Sequence, residues 1–237
     1  MFKLSSFLVI FLFLTACAAP STSRITYDTA ELDAEEVLQR ELALKKYLSY
    51  KQRLHKVSYP ILKSASQFCS NKQLNSIGAQ GIASADFEGG WKVTANKIFG
   101  GDEFIITWVA ENGPAAKAGL AINDKVLALN GVSYGNNQQQ HKKFYAETAQ
   151  IKTSESPITY LNIKRNQQLI NLTINQERIC GYPVVLADSD SVNAYADGKR
   201  IIITKGMLRF ARDDQDLSLV IAHELGHNLM GHLDKKQ

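Results

Sequence analysis

Two hydrophobic rhythms divide the chain. Between 33 and 59 apolar residues return at helical spacing. Val37, Leu38, Leu42, Tyr47 and Leu48 form one stripe among charged positions and predict a helix over 33–59. Pro60 is expected to interrupt it, with a second short helix over 61–69. From about 75 the rhythm becomes that of strands and turns. Strands are predicted at 104–110, 125–129, 158–164 and 169–174, rich in Ile, Val and Leu, and a helix at 137–149. Asn130-Gly131 and Asn166-Gln167 read as the tight turns between them. After Pro183, strands are predicted at 184–187, 192–196 and 201–204, with Asp197-Gly198 as a hairpin turn. A short helix at 205–211 and a longer apolar helix after Asp213 and Asp214, its N-cap candidates, complete the pattern. The fold class is therefore α+β: a helical N-terminal segment, a β-rich middle and a mixed C-terminal part.

The last helix carries His223-Glu224-Leu225-Gly226-His227. Residues four apart lie about 40° from each other around a helix, so both imidazoles project from one face and can hold a single Zn²⁺. Glu224 sits beside that metal position, where a carboxylate serves as a general base. Leu217, Leu219, Val220, Ile221, Ala222, Leu225, Leu229 and Met230 make the helix apolar nearly all round, the pattern of a buried helix. His55 and His141 lie in polar helical stretches and are expected at the surface.

Charge adds little. The formal net charge is +4. Lys45, Lys46, Lys51, Arg53 and Lys56 cluster after the acidic Glu31, Asp33, Glu35 and Glu36, the order that suits a solvated helix dipole. No basic stripe with interleaved aromatics is present, so nucleic acid is not an expected partner.

The first residues read as targeting signal. Lys3 precedes an apolar run from Leu4 to Leu14, too short for a permanent span, and Leu14-Thr15-Ala16-Cys17 resembles the lipobox of bacterial lipoproteins. That resemblance implies a lipidated Cys17 at the mature N-terminus, and Ala18 after it favours the periplasmic face of the outer membrane over the inner membrane. Export makes a Cys69–Cys180 disulfide the expectation for the two remaining cysteines.

Glu111-Asn112-Gly113-Pro114-Ala115-Ala116-Lys117-Ala118-Gly119-Leu120, followed by Asn123-Asp124-Lys125-Val126-Leu127-Ala128-Leu129-Asn130-Gly131, resembles PDZ domains of bacterial periplasmic proteases. Asn123 stands where the family usually has Gly. The resemblance implies a groove that adds an extended peptide or a C-terminus to a sheet edge. The loop receiving the carboxylate is expected at Ile98-Phe99-Gly100-Gly101, with Gly89-Gly90 as the competitor. The run from Asn193 to His232 resembles metallopeptidases of the HtpX, BepA and CAAX-prenyl-protease type. It implies zinc on His223 and His227, Glu224 as base, and Asn193, Ala194 and Tyr195 near the cleft.

The expected organisation is a signal peptide at 1–16, a tether at 17–32, a helical segment at 33–74, a PDZ-like domain at 75–176, and the N-terminal part of a zinc metallopeptidase domain at 177–237. A catalytic zinc needs a third protein ligand. In the resembled family it is a Glu on a later helix. No position here matches it; His232 falls on the far side of the helix, Asp234 returns to the right face but lies about 10 Å beyond His227 along the axis, and a truncated protease is the expectation. The expected function is a zinc endopeptidase of the cell envelope whose PDZ domain recruits peptides or unfolded envelope proteins. The alternative is an inactive, lipid-anchored PDZ adaptor.

Overall fold

The computed structural model describes residues 29–69 and 72–231. Cys17 with its lipobox, His232 and Asp234 lie outside them. Helix α1 (Thr29–Ser64) runs as one piece into a 3-10 turn at Ala65–Phe68. Pro60 does not break it, because Leu54, Val57 and Leu62 bury on both sides of the proline and hold the helix on the core. The predicted stripe also shifts. Val37, Leu38 and Leu42 are exposed, and Leu44, Leu54 and Val57 are the buried positions.

Strand β1 (Gln73–Ser76) leads to β2 (Ala79–Ala83), then α2 (Gly89–Phe99) and β3 (Phe104–Val109). A short α3 (Pro114–Lys117), β4 (Lys125–Leu129), β5 (Val132–Ser133) and α4 (Gln138–Gln150) follow, then the hairpin β6 (Ile158–Arg165) and β7 (Gln168–Asn175). Their sheet has the order β2-β3-β4-β6-β7, with β5 on β4. Its turns use the residues the sequence offers for positive φ: Asn130 (48°) with Gly131 (80°), and Asn166 (49°) with Gln167 (66°). Asn123 at φ 72° takes the left-handed conformation usually left to glycine. Beside it Asp124 is almost fully buried and answered by the Arg165 fork, Nε at 2.6 Å from Oδ1 and Nη2 at 2.6 Å from Oδ2.

Strand β8 (Glu177–Cys180) returns to pair with β1, next to a disulfide joining Cys69 to Cys180 with Cα atoms 5.4 Å apart. The last part holds β9 (Val184–Ala187), β10 (Ala194–Ala196), β11 (Ile201–Thr204), α5 (Lys205–Phe210) and α6 (Asp214–Leu229). Here β11 is central, antiparallel to β10 and parallel to β9. One core unites α1, β9, β11, α5 and α6 through Leu54, Val57, Ile201, Ile203, Leu208, Leu217, Ile221 and Leu225. A second fills the larger sheet around Phe104, Phe144 and Ile163. No helix among the described residues is long and apolar enough to cross a membrane.

Candidate active site and peptide groove

Helix α6 starts where Asp213 accepts hydrogen bonds from the amides of Gln215 and Asp216, both at 2.9 Å. Leu217, Ile221 and Leu225 turn into the core at helical spacing. The helix is not buried all round: Leu219 and Met230 are exposed, so its outer face is open. On that open side stand exposed His223 and half-buried Glu224 and His227. The Nε2 atoms of the two histidines lie 3.1 Å apart, with the rings perpendicular at 89°. Two Zn–N bonds of ~2.0–2.1 Å span up to ~4.2 Å, so a single ion can touch both nitrogens. Among the described residues no third His, Cys, Asp or Glu completes a metal cluster with them.

The strand beside this helix is held by a residue the sequence reading missed. Buried Asn228 follows His227 on α6. Its Oδ1 accepts the Gly198 amide at 2.8 Å, and its Nδ2 donates to the Arg200 carbonyl at 3.1 Å. These bonds fix the β10–β11 hairpin to the histidine helix. Within the hairpin Asp197 accepts from the amides of Lys199 and Arg200 and from the Arg200 guanidinium, which holds its carboxyl below the usual range. The hydroxyl of buried Thr204 shares its one proton between the carbonyls of Ser191 at 2.6 Å and Asn193 at 2.8 Å and accepts from the Asn193 amide at 3.1 Å, and so places Asn193 just before β10. Ala194 lies on β10 and Tyr195 is half exposed there. The far edge of β10 has no partner strand among the described residues. A buried Asn one step past a metal-type histidine was the available signal.

The second candidate site lies along β2, the edge of the larger sheet. Helix α4 lies alongside, and the two bound a cavity of about 210 Å³ lined by Ile77, Ala79, Phe144, Tyr145, Thr148 and Ile151 among others. Tyr145 crosses one end and donates to Asp86 Oδ1 at 2.6 Å; burial, and then this bond, hold its phenol protonated far into alkali. Asn75 crosses the other and donates to the Ser154 carbonyl at 2.6 Å.

The expected carboxylate loop is corrected. Ile98 and Phe99 are the last turn of α2, and Phe99 is buried with Leu44, Ile82, Ala95 and Ile105. Gly100 is that helix's left-handed cap, at φ 74°, and the Gly101 amide closes on Asn96 O at 2.9 Å. Gly89 and Gly90 open the same helix. The turn entering β2 is Ser76-Ile77-Gly78, with Gly78 at φ 71°. It offers one glycine rather than a pair, which is why it was missed.

The expected surface histidines are corrected too. His141 is buried and stacks on Tyr134 at 4.1 Å. His55 packs against Trp108 at 5.6 Å, and burial, with Lys51 nearby, lowers its pKa to about 4. Nor is the basic cluster only a solvated face: Arg53 turns inward and binds the loop before α6 through the Ala211 and Asp213 carbonyls.

Residues 162–237 match peptidase family M48, and residues 105–139 match the PDZ domain family. A 71-residue stretch is 39% identical to a "Probable protease eep" of Enterococcus faecalis; it covers 30% of this chain and only 15% of that protein's length. Among solved structures, the HtrA-type protease AlgW with a decapeptide is similar at 16% identity and TM-score 0.32, covering 45% of this chain and 30% of that one. The HtrA3 PDZ domain bound to a phage-derived ligand is similar at 14% identity and TM-score 0.29, covering 46% of this chain and 90% of that one. Along the sequence, a PDZ-domain match therefore runs into a peptidase-family M48 match that contains His223, Glu224 and His227.

Proposed function

We propose that the chain carries the base and two metal ligands of a zinc endopeptidase, and that its PDZ groove recruits peptides or unfolded proteins of the bacterial cell envelope. The observation that carries this reading is the 3.1 Å approach of His223 and His227 on the open side of α6, with Glu224 between them in sequence. Zinc, when bound, supplies a Lewis acid for the scissile carbonyl and lowers the pKa of water. Glu224 takes the proton of the attacking water and returns it to the leaving amine. The free edge of β10 aligns an extended substrate backbone beside the histidine helix. Lipidation at Cys17 and residence on the periplasmic face of the outer membrane belong to the same proposal and rest on the lipobox resemblance.

A second reading, a lipid-anchored PDZ adaptor without catalysis, rests on the PDZ-domain match at residues 105–139. Zinc content separates the two. In the endopeptidase reading the purified chain holds about one zinc per molecule, and His223→Ala abolishes it. A Glu224→Gln variant keeps the metal and loses peptide cleavage. A chain that holds no more zinc than the His223→Ala variant refutes a metal site closed within these residues; the protease reading then belongs to a longer chain, and the adaptor is the better account of this one.

A further inference from the structure

A separate cavity of about 400 Å³ lies at the C-terminal end of α4, where that helix meets the β4–β5 turn and the start of β6. It is not the peptide groove. The groove takes Phe144, Tyr145 and Thr148 from α4, whereas this cavity takes Glu147 and Gln150, a different face of the same helix. Asn130 builds it. At φ 48° this residue opens the turn between β4 and β5. Its Oδ1 accepts the Tyr160 amide at 2.9 Å, its own amide donates to the Tyr160 carbonyl at 2.8 Å, and its Nδ2 donates to Glu147 Oε1 at 2.7 Å. One residue thus sets the Glu147 carboxylate beside Tyr160 of β6.

The unanswered groups around this cavity share one sign. Glu147 is half-buried and forms no ion pair among the described residues, not even with Lys143 one turn earlier. No Lys, Arg, His or Asp lines the cavity, and Lys152, just past the helix, lines the groove instead. The last turn of α4 carries no basic residue, so the partial negative charge of the helix end is not offset there. Gln176 donates through Nε2 to Thr159 Oγ1 at 2.6 Å, which leaves its Oε1 buried with no hydrogen-bond partner. Tyr160 lines the same cavity and is exposed, and an aromatic ring attracts a cation to its face.

We propose that this cavity is a binding site for a guanidinium group, brought by an arginine side chain of a partner protein or by a free guanidino compound. A carboxylate or phosphate is repelled by Glu147. A guanidinium suits the walls better than an ammonium, because its planar fork of donors serves acceptors on two sides while its flat face stacks on a ring. The site depends on neither the metal reading nor the peptide groove.

The test follows the backbone amides of the isotope-labelled full chain by NMR during titration with N-acetylarginine amide and with N-acetylcitrulline amide, its uncharged isostere. The arginine compound is expected to shift Asn130, Gly131 and Tyr160 saturably and to bind at least about tenfold tighter than the citrulline compound, the scale of one charged hydrogen bond. N-acetyllysine amide should bind more weakly than the arginine compound. Glu147→Gln keeps the acceptor for Asn130 and removes only the charge, so it should bring the arginine and citrulline compounds within about twofold of each other. Tyr160→Leu should weaken the arginine compound about threefold, and Glu111→Gln, an exposed carboxylate outside the cavity, should change nothing. Methylguanidine separates the two sources: binding as tight as that of the arginine compound assigns the site to free guanidino compounds, and weaker binding assigns it to a protein side chain, each in support of the site. Equal affinity of the parent chain for the arginine and citrulline compounds overturns the proposal, whether or not any variant folds. So does a preference that survives Glu147→Gln. Lysine binding as tight as arginine binding overturns the guanidinium assignment.

Discussion

Arg53 offers the sharpest test of how the histidine helix is held. Its guanidinium makes four hydrogen bonds: Nε to Asp214 Oδ1 at 3.0 Å, Nη1 to Leu208 O at 2.6 Å, and Nη2 to Ala211 O at 3.0 Å and Asp213 O at 2.6 Å. Three of the acceptors are backbone carbonyls, Leu208 in the last turn of α5 and Ala211 and Asp213 in the turn that follows it, so one side chain from α1 fixes the entry to α6. A charge-assisted hydrogen bond contributes ~1.5–3 kcal/mol, so four could sum to ~6–12 kcal/mol. The Arg53 side chain is 26% exposed, so water replaces part of what is lost. The expected cost of Arg53→Ala is therefore ~3–4 kcal/mol. Asp214→Ala should cost only ~1 kcal/mol, because that carboxylate is 41% exposed and its other partner is the exposed Lys56. Arg53→Lys should recover less than half, since an ammonium cannot span the three carbonyls as a planar fork does. Urea unfolding followed by circular dichroism measures all three. An Arg53→Ala loss below ~1 kcal/mol, or an Asp214→Ala loss as large as that of Arg53→Ala, would refute the argument that the carbonyl bonds dominate.

Three further outcomes follow from the same structure. His55 has a folded pKa of about 4 against 6.5 unfolded, so folding favours its neutral form. Its contribution is complete above pH 6.5, falls as pH drops from 6.5 to 4, and then levels off; the loss reaches ~3 kcal/mol, and a His55→Gln variant should flatten that part of a denaturation-versus-pH profile. The Cys69–Cys180 bridge closes a sequence separation of 111 residues, so Cys69→Ala with Cys180→Ala should lose up to ~5 kcal/mol, read as a fall in urea midpoint that dithiothreitol reproduces in the parent. Asn228→Ala removes both side-chain ties between α6 and the β10–β11 hairpin, and should cost ~2 kcal/mol while raising amide exchange at residues 197–200.

What the sequence disclosed was whatever depends on near neighbours. The β6–β7 hairpin, the Asn130-Gly131 turn and the helix from Gln138 were all legible, because a turn needing positive φ announces itself through Asn and Gly. Strands β1 and β2 were not. Gln73-Leu74-Asn75-Ser76 and Ala79-Gln80-Gly81-Ile82-Ala83 have little β propensity and no clear alternation; they are strands because β8 and β3 supply their partners. Helix α2 opens on two glycines and was missed for the same kind of reason, and its loss moved the expected peptide loop onto its own C-cap. In α1 the error ran the other way: Pro60 is a local stop signal, overridden by core packing on either side.

The candidate metal site divides along the same line. The approach of His223 to His227 is a property of helix geometry alone, so spacing sufficed to place it. The position of β10 relative to those histidines is set between elements, by Asn228 reaching across to Gly198 and Arg200 and by Arg53 seating the start of the same helix. Neither residue belongs to the H-E-x-x-H pattern, and each satisfies backbone groups on a different segment. The histidine pair is thus a local motif, while its placement beside the β10–β11 hairpin is a tertiary construction. Loss of Asn228 should therefore loosen the hairpin without separating the two imidazoles, whereas any substitution that unwinds α6 removes both features at once.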